Sequence, residues 1–141
     1  MATGGSTGVD AGEGVLYESD RTRVTRVRSP EGTGTLIRKE ALGADAAERR
    51  RHERAILERL AGLAGVPALV HRENDEAIVS ADEGGVSLET VLTAGPLDPV
   101  EALDLALDLA TILAAVHRRG VVHKDLTPAN LLLSGAPRRP R

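Results

Sequence analysis

Apolar and polar positions change their spacing about halfway along this chain, and the change divides it into a strand-rich and a helix-rich part. Val15 to Tyr17, Arg23 to Arg28 and Gly34 to Lys39 are short runs with β-branched or aromatic members, and they predict three strands; Ser29-Pro30-Glu31-Gly32 predicts the turn between the second and third. Asp45-Ala46-Ala47-Glu48 then reads as a capping box that opens a helix, with Asp45 as N-cap. Ala55, Ile56, Leu60 and Leu63 recur along it at helical spacing, and Arg49, Arg50, Arg51, Arg54 and Arg59 lie outside that stripe. Ala68 to Arg72 and Glu76 to Ser80 predict two more strands, joined by Asn74-Asp75. From Ser87 onward the spacing is helical: a short helix to Thr93, a break at Gly95-Pro96, and a long helix opened by Asp98-Pro99-Val100-Glu101. Leu103, Ala106, Leu107, Ala110, Leu113 and Ala114 mark one face of that helix, which Arg118-Arg119-Gly120 brings to a stop.

Composition narrows the classes available. At 141 residues one domain is expected, and a hydrophobic share of 41% suffices for a core, but Tyr17 is the lone aromatic residue, so the core must be aliphatic. A net charge of −3 argues against non-specific nucleic-acid binding, and the arginines at 49 to 51 read as one solvated helix face. The absence of cysteine excludes a disulfide framework and a Cys-based metal site, and His52, His71, His117 and His123 lack metal-ligand spacing. No apolar run approaches the ~20 residues of a membrane span. Residues 1–14 are rich in Gly and Ala without periodicity, which predicts a disordered leader rather than a signal or transit peptide. Cytoplasm is the expected location.

Chemistry is concentrated in one stretch. Val122-His123-Lys124-Asp125-Leu126-Thr127-Pro128-Ala129-Asn130, followed by Leu131-Leu132-Leu133, sets an aspartate and an asparagine five positions apart in a tight loop between apolar segments. Taken singly, Asp125 and Asn130 are ordinary turn formers beside Pro128. Taken together with His123, Leu126 and a basic residue at 124, they match the pattern H-R-D-L-x-x-x-N. On these residues the chain resembles the first part of a eukaryotic-type Ser/Thr protein kinase of the bacterial kind, over roughly residues 15 to 133.

The resemblance implies an α+β fold: a kinase-like N-lobe at 15–80 with a five-stranded antiparallel sheet and one helix, a hinge at 81–86, and the start of a helical C-lobe at 87–133, before a Pro/Arg tail at 134–141. It implies ATP and Mg2+ as cofactors, with Asp125 accepting the proton of an attacking hydroxyl and Asn130 holding magnesium. Lysine occurs at only two positions, Lys39 and Lys124, against sixteen arginines. Lys39 ends a strand-like run and resembles the lysine of V-A-I-K that contacts ATP phosphates. Glu53, fourteen positions on and inside the predicted helix, would orient it; a surface i,i+4 pair with Arg49 is the plainer alternative. Val24 and the hinge residues Ala81, Asp82 and Glu83 would line the nucleotide. The long helix would support the catalytic loop, with His117 as a packing or helix-dipole residue.

Four departures qualify the resemblance. Where a glycine-rich loop should cover the phosphates the chain reads Glu18-Ser19-Asp20-Arg21-Thr22-Arg23, with no glycine. Ser19, Thr22 or Arg21 would have to substitute. Lys124 replaces the usual arginine, which removes the bidentate fork, and Thr127 stands where Ser/Thr kinases commonly carry a lysine. No D-F-G follows Leu133, and no Asp or Glu follows Asn130, so little or no phosphoryl transfer is expected from this polypeptide alone. Three classes therefore fit: a protein Ser/Thr kinase acting on a protein substrate, a non-catalytic regulatory or interaction module of kinase ancestry, and a kinase-like small-molecule phosphotransferase. The apolar face of the long helix, without a lower lobe to cover it, would favour a partner domain or self-association.

Overall fold

The computed structural model describes residues 13–70 and 76–134 and separates into two compact units. The leader, the Asn74-Asp75 junction and the Pro/Arg tail fall almost wholly outside the described residues.

The first unit is built on a sheet of four antiparallel strands in the order β1 (Gly14–Glu18), β2 (Thr22–Arg28), β3 (Thr35–Ala41), β4 (Ile78–Ala81). Ser29-Pro30-Glu31-Gly32 forms the predicted turn: the Gly32 N–H donates to the Ser29 carbonyl at 3.1 Å, and the Ser29 N–H to Gly34 at 3.0 Å. Proline after the first turn residue favours that geometry. Ala77, Ile78, Val79 and Leu36 are the buried residues, so the sheet's core lies at β4 and the adjoining part of β3. β1 is exposed along its length and carries an irregularity between Val15 and Tyr17.

The fold class stands, with two differences in detail. Five strands were expected, and among the described residues the sheet has four; of the segment expected at Ala68 to Arg72, the described part contributes a hydrogen bond from the Val70 N–H to the Val79 carbonyl at 2.8 Å. Residues 71–75 lie outside the described ones. A second difference concerns Asp45. Helix α1 (Ala46–Arg59) starts where expected, but the Asp45 carboxylate meets Arg21 at 2.7 Å and Arg49 at 3.1 Å, so arginine charge takes the place of the expected capping box.

These surface pairs make the sheet acid-sensitive. The hydrogen bond and charge of Arg23, 2.9 Å away, hold the Glu18 carboxyl below its ordinary 4.5. At Asp45 desolvation favours the neutral form, but Arg49 and Arg21 together outweigh it and hold the carboxyl below 3.8. A carboxyl lowered on folding contributes stability that is complete above its ordinary value and lost as pH falls through the lowered one. Urea midpoints are therefore expected to be level from pH 7 to about 5 and to fall below about 4.5. Glu18→Gln/Asp45→Asn should flatten that fall, and 1 M salt should weaken it. An equally steep acid limb in the double variant would count against these pairs.

The second unit holds α1 from His52 onward, α2 (Leu88–Thr93), α3 (Pro99–Arg118), a short ladder of β5 (Val86–Ser87) with β6 (Leu132–Leu133), and a 3-10 turn at Pro128–Asn130. The Ser87 hydroxyl caps α2 by accepting from the Thr90 N–H at 3.1 Å, and Asp98 caps α3 by accepting from Val100 at 2.9 Å. At the far end of α3, Gly120 has φ +73°; its N–H reaches the His117 carbonyl and that of Val121 the Val116 carbonyl, the two bonds of a Schellman stop.

α3 is apolar except for one polar stripe, Glu101, Asp104, Asp108 and Thr111. Leu105, Leu109, Ile112, Leu113 and Val116 are half-buried or buried, whereas Val100, Leu103 and Leu107 are each about two-thirds exposed. Most of the face singled out by periodicity is thus the outer one. Gly65, at φ +78°, packs so closely on Ile112 that a Cβ there would lie 2.4 Å from Cδ1.

Candidate active-site segments

The loop 121–131 is short of regular structure and held by specific bonds. The Asp125 N–H donates to the His123 carbonyl at 2.8 Å, closing a three-residue turn around Lys124, whose φ is +60°. This is the rare γ-turn of positive φ, and Lys124 is the one described non-glycine residue in that region of backbone space. Strain of this kind persists where surrounding structure over-determines it. Here the determinant is Asn130, placed by the Pro128–Asn130 turn. Its Nδ2 donates to the Asp125 carbonyl at 3.0 Å and to the Asp125 carboxylate Oδ2 at 3.2 Å. Both acceptors are oxygens, so the amide must present nitrogen to them, and its Oδ1 is directed away and available to a cation. Asp125 and Asn130 are both exposed.

The loop is anchored from the segment that follows residue 84. Val86 and Ser87 pair with Leu133 and Leu132, the Leu88 N–H donates to the Leu131 carbonyl at 2.8 Å, and α2 packs on the Pro128–Asn130 turn. Gly85, at φ +101°, lies against this junction: a Cβ there would stand 2.7 Å from the Leu133 carbonyl oxygen. The hydrogen bonds that fix the loop to neighbouring elements run to β5 and the start of α2.

In the first unit, Lys39 is half-buried on β3, directly opposite Val24 on β2 and Ile78 on β4. Directly opposed residues share a face of the sheet, so Val24 and Lys39 lie side by side on one surface. Glu53 is half-buried in the part of α1 that belongs to the second unit. Ala81 ends β4 opposite Leu36. Asp82 follows, its carboxylate 2.6 Å from Arg26 Nε and accepting from the Thr35 hydroxyl at 2.7 Å, while its N–H donates to the Thr35 carbonyl at 3.4 Å. Its side chain is therefore built into the sheet. Glu83 is exposed.

The turn between β1 and β2 is tight. The Ser19 N–H donates to the Thr22 carbonyl at 2.8 Å, and the Ser19 hydroxyl accepts from the N–H groups of Thr22 at 3.1 Å and Arg21 at 3.3 Å. The serine thus satisfies the turn's own donors. Sequence reasoning did not find Arg49, whose guanidinium donates to the carbonyls of Arg21 and Leu42; its place among five helix arginines concealed it. Among the described residues there is no cluster of three His, Cys, Asp or Glu able to hold a metal, and no helix long and apolar enough to cross a membrane.

A strand sheet with one helix, followed by a short helix, a long helix and an Asp–Asn loop, is the fold of a protein kinase domain. The kinase domain of Mycobacterium tuberculosis PknI superposes with a TM-score of 0.65 at 24% identity, over 94% of this chain and 60% of the PknI chain. In sequence, the Ser/Thr protein kinase PkaA of Streptomyces coelicolor is 41% identical over 108 residues, 73% of this chain and 20% of PkaA. Pkn2 of Myxococcus xanthus is 48% identical over 54 residues, 38% of this chain and 6% of Pkn2. No family model matches. The chain belongs to the bacterial Ser/Thr protein kinases and carries part of their catalytic domain. It spans a fifth or less of the length of these curated relatives.

Proposed function

We propose that these residues supply the nucleotide-facing lobe and the catalytic loop of an ATP-dependent protein Ser/Thr kinase. Protein kinases use ATP and Mg2+, and the metal, when bound, neutralises the charge of the β- and γ-phosphates. Lys39 binds the phosphates, Glu53 orients Lys39, and Val24 flanks the nucleotide on the same sheet surface. Because the Asp82 carboxylate is engaged by Arg26 and Thr35, the contribution of 81–83 to adenine binding is made by main-chain groups of Ala81 and Glu83. Asp125 accepts the proton of the acceptor hydroxyl, and the amide oxygen of Asn130 faces the metal. The observation that carries this reading is the Asp125–Asn130 pair: one amide holds the carboxylate by its nitrogen and leaves its oxygen for the cation.

The chain contains no D-F-G aspartate, so the second magnesium contact must come from residues other than these 141. We expect this polypeptide to bind nucleotide and to transfer phosphate slowly or not at all. A second reading, a non-catalytic regulatory module, is favoured by one feature: the β1–β2 turn has no glycine and spends its own N–H groups on Ser19.

Thermal unfolding with and without Mg-ATP tests nucleotide binding. A ligand at one hundred times its Kd stabilises the native state by about 2.7 kcal/mol. The wild-type transition should rise with nucleotide, and Lys39→Ala should respond at least tenfold more weakly in nucleotide concentration. An equal response in both proteins removes Lys39 from the phosphate site.

A further inference from the structure

One guanidinium joins three separate stretches of the first unit. Arg49 donates to the Arg21 carbonyl through both terminal nitrogens at 3.2 Å, donates to the Leu42 carbonyl, and lies with Nε 3.1 Å from the Asp45 carboxylate. Arg21 lies in the β1–β2 turn, Leu42 ends the β3 connection, and Asp45 precedes α1. The joint is reinforced twice: the Arg21 side chain reaches the same Asp45 carboxylate at 2.7 Å, and the Leu42 N–H donates to the Arg21 carbonyl at 2.8 Å. The Arg21 carbonyl thus accepts from two residues, and Asp45 meets two arginines. Arg49 is only 30% exposed and its fork is matched to several acceptors, which distinguishes it from an exposed helix arginine.

We propose that Arg49 is a positioning residue that fixes the β1–β2 turn, which the proposed function places over the nucleotide, to the end of β3 and the first turn of α1. The proposal rests on the nucleotide-binding reading above. A glycine-rich turn gains its closeness to phosphate from backbone freedom; this turn has none, and its placement is instead imposed from α1. Lysine cannot reproduce the fork, so charge alone does not suffice at this position.

The test combines hydrogen exchange with nucleotide affinity on the whole chain, for wild type, Arg49→Ala and Arg49→Lys. Without nucleotide, exchange is expected to rise roughly tenfold in peptides covering 19–22 and 42–46 in Arg49→Ala, as loss of charge-assisted bonds to two carbonyls requires. Mg-ATP affinity is expected to fall about five- to tenfold with Lys39 intact. Arg49→Lys, which retains charge and the aliphatic stem, keeps the fold if Arg49→Ala does not, and should show the same two changes at smaller size. Unchanged exchange at 19–22 in both variants overturns the clasp, and faster exchange with wild-type affinity overturns its positioning role. If wild type itself fails to bind Mg-ATP, the nucleotide reading fails and takes the proposal with it, an outcome visible before any variant is compared.

Discussion

Arg26→Ala is expected to destabilise the sheet by about 3 kcal/mol, the cost typical of leaving one partner of a buried ion pair behind. The Asp82 side chain is only 6% exposed and that of Arg26 21%, so removing the guanidinium strands a carboxylate that water scarcely reaches. The Thr35 hydroxyl, 2.7 Å away, would remain as a neutral donor and cannot balance the charge. Removing both charges is a different matter. Arg26→Met/Asp82→Leu should recover most of the loss, because an apolar pair of similar volume avoids desolvation altogether. Urea unfolding of the two single variants and the double variant closes the cycle. If Arg26→Ala costs less than about 1 kcal/mol, the pair behaves as a surface pair and the anchor is not what the geometry indicates.

The pair also has a place in the proposed function. Asp82 stands where β4 gives way to the 81–86 segment, and its carboxylate and N–H both bond to neighbouring strands. The end of β4 is therefore held in a defined direction, which the main-chain groups of Ala81 need if they are to meet a base. The double variant separates the two effects: stability restored with nucleotide affinity still reduced would mean that direction, rather than stability, depends on the ion pair.

Much of this was legible in the residues because the deciding interactions are local. Ser87, Asp98 and Gly120 terminate their helices through bonds to groups two to four residues away, and Ser29-Pro30-Glu31-Gly32 closes its hairpin within six. The catalytic-loop pattern was legible for the same reason: Asn130 reaches Asp125 within one loop. What was not legible depends on partners distant in sequence or on direction. Arg26 and Asp82 are 56 residues apart, and nothing in either neighbourhood indicates the other. The Val86–Leu133 ladder places an aliphatic triplet beside a segment nearly fifty residues earlier. In α3, apolar faces on both sides of the Glu101–Asp104–Asp108 stripe define a helix without saying which of them turns inward, and the face marked by Leu103 and Leu107 is the outer one. Asp45 had the composition of a cap, and two arginines competed for it.

Asp125→Ala is expected to have the largest effect on chemistry. Under the proposed function Asp125 is the general base, a group that when positioned contributes about 10²- to 10⁴-fold. The strained turn at Lys124 brings the Asp125 N–H onto the His123 carbonyl, and Asn130 holds Oδ2, which leaves the second carboxylate oxygen for an incoming hydroxyl. Turnover must be measured in a form of the protein that also carries a D-F-G segment and lower lobe, since these 141 residues contain neither. There, Asp125→Ala should lower kcat by about 10²-fold or more while ATP affinity stays within about twofold, because in the proposed role the carboxylate serves the acceptor hydroxyl and not the nucleotide. Asn130→Ala should behave differently. It removes the support of Asp125 together with the amide oxygen that would hold the metal in the proposed function, so its loss should be partly recovered at high Mg2+, whereas that of Asp125→Ala should not. A kcat for Asp125→Ala within threefold of wild type would remove Asp125 as the base and favour the regulatory reading. Equal responses of the two variants to Mg2+ would mean that Asn130 acts only by holding Asp125.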